Sequence, residues 1–295
     1  MTMNLLSLFI LRLKRNAIFL ALMTAVALIP LALSYRNVLE AENLRFEDRT
    51  RIIQVKKEAE IILYADDKEA QALDQESMDY YKKLLELATT YLEKEHIQGK
   101  SQEVLETELE LYQTLQNWEA KGNRVNHFTS SELAERITVY KKVLEQTLTF
   151  HYPTAPKDFY LTLLQFLPAS IYIIPLVICC LLAWLLMTDL SKHRGLLFIN
   201  GLSPSQYATS LTLLALLLQV AIYALILFML LLLTHQFQFT FQEDYPLLVG
   251  TNTLSTISIR EQLQKLLLEM AGVTCCYLVF IRLATAKSLQ RYKRK

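Results

Sequence analysis

Two groups of residues in this chain carry charge where its surroundings are otherwise apolar. The first is the basic run Lys192-His193-Arg194, inside the polar break 188–207, TDLSKHRGLLFINGLSPSQY, which separates two long apolar stretches. A short basic surface of this kind can meet an acidic protein rim or lipid phosphates. The second is Glu269 and Arg282, both within a later apolar run. Charges at such positions raise a pathway hypothesis by default, but 13 residues place these two roughly 20 Å apart along a helix, so they cannot pair with each other. Each is within snorkelling reach of an interface.

Other chemistry is sparse. His96, His127, His151, His193 and His235 are scattered, and no serine or cysteine nucleophile groups with a base. The chain has no GxxxxGK[ST], GxGxxG or HExxH pattern, each of which would carry a phosphate-binding, dinucleotide-binding or zinc mechanism. The sequence therefore points away from an enzyme and from a directly bound cofactor or metal, and no nucleic-acid partner is expected.

The elements that must hold these charges are membrane helices. Over 295 residues the hydrophobic share is 53% and the mean hydropathy +0.24, with the apolar residues clustered, which signals a membrane protein. A span needs about 20 apolar residues, and the expected spans are 17–35, 161–187, 208–234 and 263–286, the last with its apolar part from Leu266 to Ala286. The first is read as retained, because the run before the basic cluster is already apolar and no small-residue cleavage site follows. The expected fold class is an all-α integral membrane protein with four transmembrane helices and an extracytoplasmic helical bundle between the first and second.

Charge sets the orientation. Residues 36–160 hold 24 acidic and 17 basic residues, and the rest of the chain 13 basic and 5 acidic. The basic excess lies at Arg12, Lys14 and Arg15, at Lys192 and Arg194, and at 287–295. Short basic flanks stay in the cytoplasm, whereas a long loop translocates largely regardless of its charge. Both termini and the 188–207 loop are expected inside, with 36–160 and 235–262 outside.

Met1 to Arg15 suits an interfacial amphipathic helix over 1–16, or equally an extension of the first span. Within 36–160 the pattern is helical. Arg36 to Tyr64 can continue the first span, and Met78, Tyr81, Leu85, Ala88 and Leu92 form an amphipathic stripe. A further helix is expected from about Gln102 to Ala120, with Val104, Leu111, Leu115 and Trp118 on one side and Gly122-Asn123 as its stop. Thr129-Ser130-Ser131-Glu132 has capping-box spacing, ahead of a face made by Leu133, Ile137, Tyr140, Leu144 and Leu148. The acidic surface of this bundle is either simply solvated or grips a cationic peptide or a protein partner. Pro168 and Pro175 interrupt the second span, and Phe237, Phe239, Phe241 and Tyr245 suit an outer aromatic belt. Cys179, Cys180, Cys275 and Cys276 all fall in expected spans, so the bundle has no disulfide scaffold.

The run MTDLSKHRGLLFINGLSPSQYATSLTLLALLL resembles the connection between the second and third spans of bacterial ABC-2 type transporter permeases. There an aspartate closes the second span, a charged stretch ends in glycine, and a Pro-containing turn precedes the third. The matching positions are Asp189, Gly195 and Pro204. DYPLLVGTNTLSTISIREQLQKLLL is similar to the external return of the same family, as is the basic start before the first span. The chain departs from the family in having Leu196 after Gly195, Gln206 where an arginine often stands, and four expected spans where six are usual. A second likeness is to FtsX-like and MacB-like ABC subunits, which have four spans with a large exterior domain between the first two. Gly195 and Gly201 resemble the two glycines of their loop between spans two and three.

Both resemblances imply that 188–207 docks on a separate ABC ATPase subunit, which would bind ATP and Mg. The implied coupling helix runs from Ser191 to Gln206. Leu196, Leu197 and Ile199 or Phe198 would press into a groove, and Lys192, His193 and Arg194 would meet an acidic rim or lipid phosphates. A homodimer, or pairing with a second membrane subunit, in a bacterial cell membrane is also implied. Two alternatives stand beside this: an ordinary basic anchor at 188–207, and a membrane-anchored protein-binding or immunity factor that transports nothing.

Overall fold

The computed structural model describes residues 17–64, 74–98, 100–192, 203–249 and 255–294, together with Ile10 and Leu13. Seven helices are found among these residues: α1 (Ala17–Tyr64), α2 (Gln75–Gln98), α3 (Gln102–Ala120), α4 (Ser130–Glu145), α5 (Phe159–Lys192), α6 (Pro204–Phe237) and α7 (Ile259–Arg294). An antiparallel hairpin, β1 (Pro246–Val249) and β2 (Ser255–Ser258), pairs Pro246 with Ser258 and Val249 with Ser255. The chain divides into two compact units, one of residues 1–35, 161–239 and 262–295, the other of 36–160 and 240–261.

Among the described residues three helices are long and apolar enough to cross a membrane, at Phe159–Thr188, Pro204–Phe237 and Ile259–Gln290. Segment 17–35, expected as a further span, forms the start of α1, whose Ile18, Leu20 and Leu22 side chains lie outside the described residues. Leu167 and Ile171 of α5 pack with Leu266 of α7, and Tyr223 of α6 closes the cluster. Between α6 and α7, Gln219 donates to Thr274 at 2.7 Å and accepts from the Tyr277 hydroxyl. Large apolar side chains face outward, Leu176 at 64% and Leu268 at 75% exposed. A surface of that kind suits hydrocarbon rather than water. Pro168 and Pro175 sit inside α5, which continues through both.

The second unit is built on amphipathic helices. α3 has the limits expected from sequence, and Val104, Leu111, Leu115 and Trp118 are buried as anticipated. It packs against both α2 and α4. Its end is marked by Gly122 at φ +84°, a left-handed conformation that glycine adopts without penalty. On α2 the fully buried positions are Leu84, Ala88, Tyr91 and Glu95, while Met78, Tyr81, Leu85 and Leu92 are half-buried. The buried stripe is thus displaced by about one position from the expected one, and it takes in an acid.

Two expectations are corrected here. The stretch 235–262 is not an isolated loop: α6 runs on to Phe237, α7 starts at Ile259, and residues 240–261 fold with 36–160. Tyr245, expected in an aromatic belt, is fully buried in that unit and exchanges hydrogen bonds with the His151 backbone.

Candidate functional site

The 188–207 break is narrower than the sequence suggested. α5 continues through Lys192, so Asp189, expected to close the second span, and Ser191 and Lys192, expected to begin the coupling helix, lie in its last turn. The side chains of Asp189 and Lys192, and residues His193, Arg194, Gly195, Leu196, Leu197, Phe198, Ile199 and Gly201, lie outside the described residues. Pro204 opens α6. Its position there is favourable because a first-turn residue needs no amide hydrogen. Ser203 caps the helix reciprocally with Gln206, each bond 3.2 Å long. Glu269 accepts from the Tyr172 hydroxyl of α5, and Arg282 is exposed further along α7.

The densest constellation is one the sequence did not single out. It lies inside the second unit, around the Lys100 ammonium, in the turn between α2 and α3. Lys100 Nζ is 2.5 Å from Glu108 Oε2 and 3.6 Å from Asp48 Oδ2, and donates to the Tyr140 hydroxyl at 3.4 Å. The ammonium thus donates to two oxygens and is ion-paired with a third. Four rings surround the same nitrogen, with centroids at 5.4 Å (Phe150), 5.6 Å (Tyr91), 5.8 Å (Tyr140) and 5.9 Å (Tyr152). These distances are within cation–π range.

Further hydrogen bonds fix the two acids. Glu108 Oε1 accepts from Tyr112 at 2.6 Å and Tyr140 at 3.1 Å. Asp48 accepts from Tyr152 at 2.8 Å and pairs with Arg136 at 2.9 Å. Arg136 also donates to the Tyr112 hydroxyl at 2.9 Å and pairs with Glu132, which is held in turn by Arg51. Two carboxylates thereby face two cations, a balance that burial requires, since an unpaired buried charge is strongly disfavoured. Glu108 is fully buried and Asp48 is 3% exposed.

Burial first, and the Glu108 carboxylate second, pushes the Tyr112 and Tyr140 phenols well above their ordinary range. Burial, followed by Asp48, does the same to Tyr152. These phenols stay protonated and serve as donors. They hold the carboxylates and do not act as bases.

One α2 turn carries two exceptions. The Tyr91 hydroxyl and Glu95 Oε2 are buried without a hydrogen-bond partner among the described residues. Glu95 nonetheless has Arg45 on its other oxygen and Arg49 at 3.9 Å. Two cavities adjoin the cage, one of about 170 Å³ reaching Lys100, Phe150 and Tyr152, the other of about 260 Å³ against Arg136, Tyr140 and Phe150.

A second buried polar group joins 151–158 to 240–245. Thr240 Oγ1 donates to Asp158 at 2.8 Å and lies 2.9 Å from His151 Nε2. Its one proton is committed to the aspartate, so the histidine must carry the hydrogen on Nε2. His151 is therefore a donor here and cannot activate Thr240 as a nucleophile. Gln242 N also donates to Asp158, at 2.8 Å. Burial, then the Lys157 charge, lowers the His151 pKa to about 4. Among the described residues no three His, Cys, Asp or Glu side chains are grouped to hold a metal ion.

What the lysine-centred arrangement can do chemically is hold an alkylammonium: negative charge, π faces and oxygen acceptors converge on one point. The sequence carried a partial signal. Glu108 stands in register with Val104, Leu111 and Leu115, an acid within an apolar stripe. Nothing local marked Asp48 or Lys100, whose partners are far away in the chain. Comparison of the chain with family models, curated proteins and solved structures finds no match.

Proposed function

We propose that this chain is the membrane-embedded subunit of an ATP-driven complex of the ABC type, taking its energy from a separate ATPase that docks at 188–207. The observation that carries this reading is the short interval between two 34-residue apolar helices, α5 and α6, with a reciprocal cap at its far end. Ser203 and Gln206 tie the end of the break to the first turn of α6. A push that reaches Ser203 is then passed to a helix. Differential binding of the ATPase in its ATP-bound and ATP-free shapes would supply the population shift. ATP and Mg would reside in the partner. The second unit would lie outside a bacterial cell membrane, with 17–35 as a fourth span and both termini in the cytoplasm.

The output has two versions. A permease moves a substrate between its spans, whereas a mechanotransmission subunit moves an exterior domain. The 48 residues of α1 correspond to about 72 Å of helix, more than twice the roughly 30 Å of hydrocarbon. A helix of that length favours the mechanotransmission version.

The test is affinity purification of the full chain from its native membranes in mild detergent, with co-purifying proteins identified by mass spectrometry. A Gly195→Trp/Pro204→Ala variant is processed in parallel. An ATPase should be recovered with the parent and lost with the variant. Absence of any ATPase under conditions that retain other membrane complexes would refute the reading and favour a membrane-anchored protein-binding factor.

A further inference from the structure

We propose that the cage formed by Asp48, Tyr91, Glu108, Tyr140, Phe150 and Tyr152 is a binding site for a primary alkylammonium group, and that Lys100 occupies it as a tethered competitor. This goes beyond the coupling role of the membrane helices and does not depend on it.

The stereochemistry is already on view. An ammonium on an aliphatic stem donates to Glu108 and Tyr140 and lies 3.6 Å from Asp48 Oδ2. Four rings lie within 5.4–5.9 Å of the same nitrogen. A guanidinium, a flat fork, would not match a site in which three acceptors converge on one nitrogen. A purely structural ion pair needs one carboxylate and no aromatic enclosure. Here two buried acids, rings from three separate parts of the chain and a side chain from a short turn are brought to one point.

Two independent observations indicate that the site accepts something other than its present occupant. The Tyr91 hydroxyl, on a ring of the cage, is buried without a hydrogen-bond partner among the described residues. Buried hydroxyls are rarely left so, and a second polar group on an incoming amine would satisfy it. The cavity of about 170 Å³ is lined by Lys100, Phe150 and Tyr152 among others, so the lysine borders open space of several water volumes.

Exchange is also electrically neutral. Asp48 and Glu108 are balanced by Arg136 and one ammonium, whether that ammonium belongs to Lys100 or to a ligand. Lys100 side chain is 11% exposed, and it precedes the Ser101 cap of α3. Swinging it into solvent changes side-chain torsions and leaves that cap in place. A tethered competitor lowers the apparent affinity of a free amine by the fraction of time the cage stands open. Removing the competitor restores the intrinsic affinity.

The experiment uses the full chain in detergent and titrates n-butylammonium chloride by calorimetry, with n-butanol and sodium chloride as controls. Lys100→Ala should bind n-butylammonium at least about tenfold more tightly than the parent chain. Its melting temperature should rise with the amine and not with either control. Glu108→Gln introduced into the Lys100→Ala chain should abolish that gain. Lys100→Met, which keeps the apolar stem, serves if Lys100→Ala does not fold, and should show the same ordering. Putrescine and a Gly-Lys-Gly peptide then separate the sources: tighter putrescine binding identifies a small amine, tighter peptide binding a lysine side chain. Equal affinity of parent and Lys100 variants for n-butylammonium, or equal stabilisation by n-butanol, would overturn the proposal.

Discussion

His151 is held in a state that acid opposes. Its ring is buried beside Lys157, which lowers its pKa from 6.5 to about 4, while its Nε2 serves Thr240. The unfolded chain takes up a proton below its ordinary pKa, and the folded chain does so only near pH 4. Stability from this group is therefore complete above pH 6.5 and falls as the pH drops toward 4, by about 3 kcal/mol in total. Chemical denaturation at pH 7 and pH 4.5 should show that loss. His151→Gln, whose amide can still donate to Thr240, should flatten the difference. The residue scale is also where sequence reading was weakest. Glu108 could be suspected from its place in an apolar stripe, and Pro204 from the turn it opens. His151 and Thr240, or Asp48 and Lys100, find each other only when distant segments meet, and no local pattern records that.

At the scale of elements, spacing was a better guide. α3 begins and ends where its apolar period and Gly122 placed it. α4 starts at the expected cap, where Thr129 accepts from Glu132 N at 3.3 Å. The Glu132 carboxylate is instead engaged by Arg51 and Arg136, since a guanidinium competes more strongly for it than a backbone amide does. On its buried face Leu133, Ile137 and Tyr140 are joined by Val143, while Leu144 is half-buried and Leu148 lies past the helix end. Thr129→Ala should cost about 1 kcal/mol, seen as a melting-temperature drop of roughly 2–4 °C for a unit of this size. The hairpin was missed for a different reason. Strands of four residues are too short for a period to declare itself, and PLLV reads equally as the edge of a span. Its clue was the Gly-Thr-Asn-Thr stretch between an apolar run and the β-branched STIS.

The whole molecule is two units threaded through one another in sequence. The charged one takes 36–160 and then 240–261, on either side of α5 and α6. A soluble fragment 36–160 therefore leaves Asp158, which is fully buried, without the donors Thr240 and Gln242. It also leaves His151 without the Tyr245 hydroxyl. Joining 240–261 to that fragment through a flexible linker should stabilise it by about 2 kcal/mol or more, measurable by urea titration. Equal midpoints for the two fragments would remove 240–261 from the folded unit. Composition and span lengths made the division into apolar helices and a charged helical part legible in the sequence. They could not show that the charged part is discontinuous.

That discontinuity imposes an order on biosynthesis. Thr240 leaves the ribosome 82 residues after Asp158, and Tyr245 94 residues after His151. At about 5–20 residues per second the earlier partners wait on the order of 4–19 s. During that wait α5 and α6 are themselves being made, so the charged unit closes only on chains whose two apolar helices have already emerged. Completion of one half of the molecule is thus a timer for production of the other, and a chain truncated before residue 240 is left with an open seam at Asp158 that proteolysis can recognise.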